Sequence, residues 1–186
     1  MDLTEKKLSS ERVYNGIIVN VDVDEALSPS GNIVKREVVR HPGGVGIVAL
    51  DDDGRIILVR QYRYAFQSVL TEIPAGKNEP GQTPEYGAAR ELREEIGAVG
   101  TLTPLGSFYA SPGIFTEELR LFLATDLTFG ETDPDPDEFL EIIRVTFEEA
   151  EQMILSGELR DSKTVAGILK AKLYLEHEKE LTQCPD

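Results

Sequence analysis

The order of elements that the sequence predicts is typical of the α/β class, in the α+β sense of a mixed β-sheet sandwiched between helices. Short apolar segments bounded by turn residues run through the first half of the chain, as expected for strands. One helix pattern interrupts them, and two more helix patterns follow in the last third. The 186 residues are enough to bury a sizeable core in one domain.

Residues 1–44 predict an N-terminal antiparallel β region. Residues 1–12 are charged, and we expect them to be loose. Valines alternate with polar residues over 19–23, which is the period of a half-buried strand, and a turn at 28–32 leads into a second strand over 33–39. A hairpin of this kind is too thin to be stable alone, so it needs a partner surface.

Residues 45–186 predict the main domain. Two apolar strands, 47–50 and 56–61, flank an Asp-Asp-Asp-Gly turn and form a hairpin. Further strands are expected at 102–109, 119–125 and 141–145, and helices from Thr146 to near Gly157 and from about Ser162 to Leu181. In the last helix, an apolar stripe is expected from Val165, Leu169 and Leu173.

A helix between Thr83 and Gly97 occupies the middle of this domain. Thr83 can cap the unpaired amides, Pro84 suits the first helical position, and Gly97 ends the helix. The apolar residues recur every four positions and form a stripe that can pack on a core: Ala88, Leu92 and Ile96.

Three glutamates stand on a neighbouring face of this helix, at spacing i, i+3 and i+4: Glu91, Glu94 and Glu95. Like charges at this spacing repel by a few tenths of a kcal/mol per pair, and a divalent cation would reverse that sign. Magnesium prefers oxygen ligands and is usually held by one or two carboxylates together with substrate phosphates. Arg90 can hold one carboxylate in place. A solvated glutamate-rich face is the alternative, and the glycine-containing stretch 76–82 favours the metal site.

Residues 76–98 resemble the signature of the Nudix hydrolases, G-x5-E-x7-R-E-U-x-E-E-x-G-U, where U is a bulky aliphatic residue. Seven residues fall on their places in it: Gly76, Arg90, Glu91, Leu92, Glu94, Glu95 and Gly97. Two positions depart, because Gln82 stands where the family has glutamate and Ala98 is small for the last aliphatic place. The resemblance implies the Nudix fold, and we expect Gln82→Glu to leave activity similar or to raise it.

The chain resembles the ADP-ribose and nucleotide-sugar branch of that family in two features. One is the proline of Ser111-Pro112-Gly113, and the other is the order of motifs from about Val13 to the final helix. This likeness implies hydrolysis of the diphosphate bond of ADP-ribose to AMP and ribose 5-phosphate, with Mg²⁺ as cofactor and Mn²⁺ as a possible substitute. One alternative is another nucleotide sugar such as GDP-mannose. A second alternative is a Nudix-fold nucleotide-binding module without turnover, which Gln82 alone supports.

The resemblance also implies residue roles. The metal ligands would be the backbone carbonyl of Ala75 with Glu91, Glu94 and Glu95, and Arg90 and Glu94 would also serve catalysis. A general base is expected on the acidic loop 131–138. Glu138 is the first choice for that base, with Asp137 and Glu141 left open.

Five residues are expected to contact the substrate: Arg36, Arg60, Arg63, Glu72 and Glu117. Guanidinium groups match phosphate oxygens, although each arginine could equally form a surface ion pair.

A formal charge of −15 argues against a nucleic-acid partner and means that an anionic substrate must be met by metal and local arginines. No apolar run is long enough to predict a membrane span. The single cysteine, Cys184, excludes an internal disulfide and favours a cytoplasmic location. The resemblance implies a homodimer in which residues 1–44 exchange strands, with 45–186 as the hydrolase domain.

Overall fold

A computed structural model describes residues 1–133 and 139–183 of the chain. It confirms the predicted fold class, a mixed sheet between helices with an antiparallel N-terminal sheet. Two compact units form, one from residues 1–43 and 109–118 and the other from 44–108 and 119–186. Among the described residues, no helix has both the length and the apolar character needed to cross a membrane.

The first unit is built on a three-stranded antiparallel sheet in the order β1-β2-β3. Its strands are β1 (Lys6–Asn15), β2 (Asn20–Leu27) and β3 (Ile33–Arg40). β1 shows that the expectation of a loose segment over 1–12 was wrong. Hydrophobic periodicity gives no signal for β1 because charged and polar side chains attach it to β2, through the ion pair of Arg12 with Asp22 and that of Lys7 with Asp24.

On the alternating strand β2, the buried residues are Asp22, Asp24 and Ala26, and the valines beside them are only partly buried. Asp22 and Asp24 are both less than a tenth exposed, and Arg40 donates to Asp22 at 2.9 Å. Hydrogen bonds from Arg12 and then Arg40 lower the pKa of Asp22 below its usual value. Apolar side chains of this unit are exposed instead, namely Leu8, Val13, Tyr14, Ile17, Ile18, Leu27 and Ile33.

In the part of the second unit that the structure describes, a seven-stranded sheet is accompanied by three α-helices and a short 3-10 helix, Tyr64–Phe66. Its strands are β4 (Gly44–Leu50), β5 (Ile56–Arg63), β6 (Ser68–Glu72), β7 (Ala75–Lys77), β8 (Ala98–Tyr109), β9 (Glu118–Phe129) and β10 (Glu141–Val145). Its helices are α1 (Pro84–Ile96), α2 (Phe147–Ser156) and α3 (Ser162–Gln183). The strand order is β10-β5-β4-β9-β8, with β6 beside β5 and β7 beside β4. β4 runs parallel to β9 and antiparallel to β5 and β7, so the sheet is mixed.

Helices cover both faces of this sheet, as predicted. On one face, the stripe Ala88, Leu92 and Ile96 of α1 packs against a core that includes Val45 and Ile47. The other face packs Val48 and Leu50 against Ala150 of α2 and Ile168 and Ala171 of α3. Alternate residues of β4 therefore enter different cores, which explains why the whole strand is apolar.

The buried face of α3 differs from the predicted stripe. Ile168 and Ala171 are fully buried, whereas Leu169 is 42% and Leu173 is 66% exposed. Val165 packs at the edge of the core. Two stripes of apolar residues are possible on α3, one through Leu169 and Leu173 and one through Ile168 and Ala171. The second stripe, which contains the smaller residue Ala171, is the one that packs on the sheet.

Both ends of α1 follow the predicted capping chemistry. The Thr83 hydroxyl accepts a hydrogen bond from Tyr86 N at 3.2 Å, and Gly97 ends the helix with a φ of 64°. Gly130 N donates to Gly97 O at 2.6 Å, and Asp133 N donates to Glu94 O at 3.1 Å. The start of the acidic loop is therefore attached to the end of α1.

We predict that Gly97→Ala lowers the free energy of unfolding by about 2–4 kcal/mol, since alanine both disfavours this φ and meets neighbouring backbone. A Cβ at Gly97 would lie 2.7 Å from Gly130 O. Gly157→Ala is the matched control because this C-cap has a φ of 77° and no atom within 4 Å of the added carbon. It should cost only about 1–2 kcal/mol in the same chemical denaturation experiment. Equal losses in the two variants would contradict the proposed contact.

Candidate functional site

Strand β7 and helix α1 bring the signature backbone and the signature glutamates together. Ala75 N donates to Glu95 Oε2 at 3.1 Å. The register of β7 against β4 places Gly76 opposite Val45, and a Cβ at Gly44 would lie only 2.7 Å from Gly76 O. Glycine at position 44 thus permits the close approach that carries β7 to the helix.

Gly76 has a second steric role, toward Glu91. A Cβ built on Gly76 would overlap the carboxylate of Glu91. The absence of a side chain at this position therefore makes room for the carboxylate beside the backbone of β7. Glu91 and Glu95 are both buried, and they follow each other by one helical turn.

Arg90 braces two of the three glutamates. Its Nη1 donates to Glu94 Oε2 at 2.6 Å, and its Nη2 donates to Glu91 Oε1 at 2.5 Å. Burial lowers the pKa of Arg90, but the carboxylates of Glu91 and Glu94 outweigh this effect and the net pKa lies above its usual value. The guanidinium consequently stays charged and offsets the repulsion among the carboxylates.

The chemistry of these donors fits a hard divalent cation. Among residues 1–133 and 139–183, no three side chains of His, Cys, Asp or Glu are arranged to hold a metal by themselves. Magnesium does not require three, since it is usually held by one or two carboxylates with waters and substrate phosphates. Glu91, Glu95 and the backbone at Ala75 lie together and could supply such a partial set. Arg90 binds both Glu91 and Glu94, and Arg93 also contacts Glu94.

A second charged cluster surrounds Glu72 at the end of β6. Arg63 donates from Nε and Nη2 to the two carboxylate oxygens of Glu72, each at 2.7 Å, and Lys163 forms an ion pair with the same carboxylate. Glu72 is only 1% exposed. Burial raises its pKa, but Arg63 and then Lys163 outweigh burial, so the net pKa lies below 4.5.

A cavity of about 290 Å³ borders this cluster. It is lined by Arg63, Tyr64, Ala65, Phe66, Leu70, Glu72, Asp161 and Lys163. Lys163, which was not among the predicted site residues, lies in the first turn of α3, and its Nζ is 2.9 Å from Asp161 Oδ2. No local motif marks it, since only the packing of α3 on the sheet brings it to Glu72.

Arg60 and Glu141 face each other on adjacent strands. Arg60 Nη1 donates to Glu141 Oε2 at 2.8 Å, and the side chain of Glu141 is 64% exposed. The two other candidates for the general base, Asp137 and Glu138, lie outside the described residues.

The remaining two predicted substrate residues belong to the unit formed by 1–43 and 109–118. Arg36 donates to Glu5 at 2.5 and 3.0 Å, and this hydrogen bond raises its pKa. Glu117 Oε1 lies 3.4 Å from Nδ1 of His41, whose ring is 5.2 Å from that of Phe115. Their roles in substrate binding stay predictions.

Comparison with known proteins agrees with this geometry. Residues 40–167 match the NUDIX domain. The chain is 41% identical over 182 residues to an ADP-ribose pyrophosphatase of Bacillus subtilis (strain 168), covering 95% of this chain and 98% of that one. It is 40% identical over 167 residues to a methanol dehydrogenase activator of Bacillus methanolicus, covering 88% and 90% of the two chains.

A solved structure, the crystal structure of an ADP compounds hydrolase, has the same fold with a TM-score of 0.83. The two sequences are 23% identical, and the alignment covers 96% of this chain and 98% of the hydrolase chain. The domain match, the two relatives of similar length and the signature residues on β7 and α1 establish that this chain belongs to the Nudix hydrolase family.

Proposed function

We propose that this enzyme hydrolyses the diphosphate bond of ADP-ribose and releases AMP and ribose 5-phosphate. The observation that carries the proposal is the placement of Glu91 and Glu95 against the backbone of Ala75 and Gly76. The relative from Bacillus subtilis, which is 41% identical and bears the name ADP-ribose pyrophosphatase, supports the choice of substrate.

Nudix hydrolases generally need divalent cations. Here the cation would be Mg²⁺, with Mn²⁺ as a possible substitute, held by Glu91, Glu95 and the Ala75 carbonyl with Glu94 near them. When bound, such an ion polarises a phosphoryl group and lowers the pKa of a bound water. The chain's own contribution is to hold Glu91 and Glu94 in place through hydrogen bonds from Arg90, and to keep Glu91 and Glu95 buried beside the backbone of β7.

The proton of the attacking water requires a base, and the acidic loop 131–138 is the proposed source. Support comes from the hydrogen bond of Asp133 N to Glu94 O at 3.1 Å, which holds the first residues of the loop beside the end of α1. Glu138 is the first candidate, and Asp137 and Glu141 stay open. Glu141 accepts a hydrogen bond from Arg60 at 2.8 Å, so as a base it would have to leave that contact or share it.

Arg63 is the proposed anion contact beside the cavity of about 290 Å³. Its side chain is 39% exposed even though Glu72 holds it on one edge. Glu72 therefore serves the substrate indirectly, by fixing the direction of the guanidinium, and Lys163 fixes Glu72. Arg60, Arg36 and Glu117 are further substrate contacts in the proposal.

A homodimer through residues 1–44, with exchanged strands, is also part of the proposal, and residues 45–186 form the hydrolase domain within it. The support is the set of exposed apolar side chains on the first unit, which includes Val13 and Ile33. A cytoplasmic location rests on the cysteine content.

The function is tested by product analysis with ADP-ribose, GDP-mannose and ADP-glucose, each with Mg²⁺ and each with a chelator. We expect AMP and ribose 5-phosphate to appear fastest from ADP-ribose, only with metal, and Glu95→Gln to lose at least about 100-fold in kcat because the ligand charge is removed. Glu85→Gln is the control, since Glu85 is exposed in the first turn of the same helix. Faster cleavage of another nucleotide sugar would contradict the assignment of ADP-ribose as the substrate. If none of the three compounds is cleaved, a nucleotide-binding module without turnover is favoured.

The dimer is tested by light scattering coupled to gel filtration. We expect a mass of about 41 kDa, twice the 20.6 kDa of one chain. The double variant Val13→Asp/Ile33→Asp should shift toward the monomer mass because it places charges on exposed apolar positions of the first unit. Leu155→Asp on α2, at a position that is even more exposed, is the control and should keep the wild-type mass. A wild-type mass near that of one chain would refute the dimer.

Glu72 is expected to stabilise the fold in a pH-dependent way. Its folded pKa lies below the ordinary 4.5, so its stabilisation is present above about pH 4.5 and is lost as the pH falls through the folded pKa. Glu72→Gln should therefore cost about 2–3 kcal/mol near neutral pH and less in acid, as measured by urea denaturation across pH. Glu141→Gln removes the exposed pair with Arg60 and should cost less than about 1 kcal/mol. A cost for Glu72→Gln that stays constant with pH would contradict this linkage.

A further inference from the structure

Gln82, the position that departs from the family signature, is part of a tight turn with Glu79. Gln82 N donates to Glu79 O at 3.2 Å, with Pro80 and Gly81 between them and Gly81 at a φ of 82°. Proline followed by a residue with positive φ is typical of a type II turn. The turn places the two side chains side by side, and Gln82 Nε2 donates to Glu79 Oε2 at 2.6 Å.

The same pair stands next to Arg90. The other oxygen of Glu79, Oε1, lies 3.9 Å from Nη2 of Arg90, which puts a third carboxylate near the guanidinium that already binds Glu91 and Glu94. Glu79 thus approaches the guanidinium of Arg90 from the turn, while the carboxylates of Glu91 and Glu94 contact it from α1.

Two buried polar atoms in this region have no hydrogen-bond partner among the described residues: Oε1 of Gln82 and Nε of Arg90. One is an acceptor and the other is a donor. Unsatisfied buried groups of this kind cost free energy and are uncommon, and they often mark a functional site. Both atoms belong to residues that contact Glu79.

We propose that Glu79, aimed by the amide of Gln82, supplies the carboxylate that the signature carries at position 82, and that this pair positions Arg90. The proposal rests on the proposed metal-dependent hydrolysis. A carboxamide at 82 can donate a hydrogen bond to a carboxylate, whereas an ionised glutamate can only accept. Gln82→Glu would therefore turn the contact with Glu79 into a contact between like charges. This reverses the expectation from the sequence alone that Gln82→Glu is harmless or beneficial.

The charges around Arg90 support the same conclusion. Three carboxylates lie within 4 Å of this one guanidinium, from Glu79, Glu91 and Glu94. A fourth carboxylate, at position 82, would add another negative charge to a site where the carboxylates already outnumber the guanidinium. Exchange of the two side chains, by contrast, keeps both the total charge and one amide-to-carboxylate pair.

The test compares four variants with the wild type: Glu79→Gln, Gln82→Glu, the exchanged double variant Glu79→Gln/Gln82→Glu, and the control Glu85→Gln. Mn²⁺ binding to the protein without substrate is measured by electron paramagnetic resonance, and unfolding in chelator is measured by urea denaturation. Each single variant should weaken Mn²⁺ binding by about tenfold, as expected for loss of a hydrogen bond to a charged group. The exchanged variant should return to within about threefold of the wild type, and Glu85→Gln should match the wild type.

The inference is overturned if Glu79→Gln behaves like Glu85→Gln, if Gln82→Glu binds Mn²⁺ as well as the wild type, or if the exchanged variant shows the sum of both single losses. Hydrolysis assays on the same proteins separate this result from the proposed function. If the exchanged double variant recovers Mn²⁺ binding and stability but the protein cleaves none of the nucleotide sugars, the proposed function is refuted and the proposed pairing of Glu79 with Gln82 stands. Normal hydrolysis with no coupling between positions 79 and 82 would refute the pair alone.

Discussion

The interaction on which the site depends is the double hydrogen bond of Arg90 to Glu91 and Glu94. Three glutamates on one face of a helix repel one another, and burial of Glu91 and Glu95 increases that repulsion because the local dielectric constant is low. The guanidinium supplies the counter-charge from within the same helix. Without it, the carboxylates would repel one another with no counter-charge on the helix, and they would be driven toward water and away from the backbone of β7.

The hydrophobic core fixes where this charged face points. Ala88, Leu92 and Ile96 occupy one core of the sheet, so the rotation of α1 about its axis is set by apolar packing. With that rotation fixed, Glu91 and Glu95 meet the backbone of β7, and Ala75 N–H hydrogen-bonds to Glu95. β7 in turn is held by its register with β4 and by the bond of Ile47 N to Pro74 O at 2.8 Å. Core packing and the proposed metal site are therefore linked through three backbone residues, 74–76.

How much the sequence predicts follows from the range of each interaction. The caps at Thr83 and Gly97 and the stripe of α1 are local, and local patterns predicted them correctly. β1 was missed because its partners are charged residues on a strand that lies later in the chain. Lys163 was missed because it is separated from Glu72 by most of the domain and joins it only when α3 packs on the sheet. The hydrogen bond between Glu79 and Gln82 is local in sequence. Its proposed role depends on the nearby guanidinium of Arg90, and the sequence of the turn does not predict that proximity.

The distribution of charge explains why an acidic chain can still handle an anionic substrate. Arg36, Arg60, Arg63 and Arg90 each have a carboxylate partner of the same chain. A diphosphate that binds to one of these arginines must therefore compete with that carboxylate or share the guanidinium with it. Sharing is possible where the partner occupies one edge of the group, as Glu72 does on Arg63. Because the chain carries a formal charge of −15, a bound divalent cation would add attraction for the diphosphate, so we expect affinity for the diphosphate to rise with the metal even before the bond is cleaved.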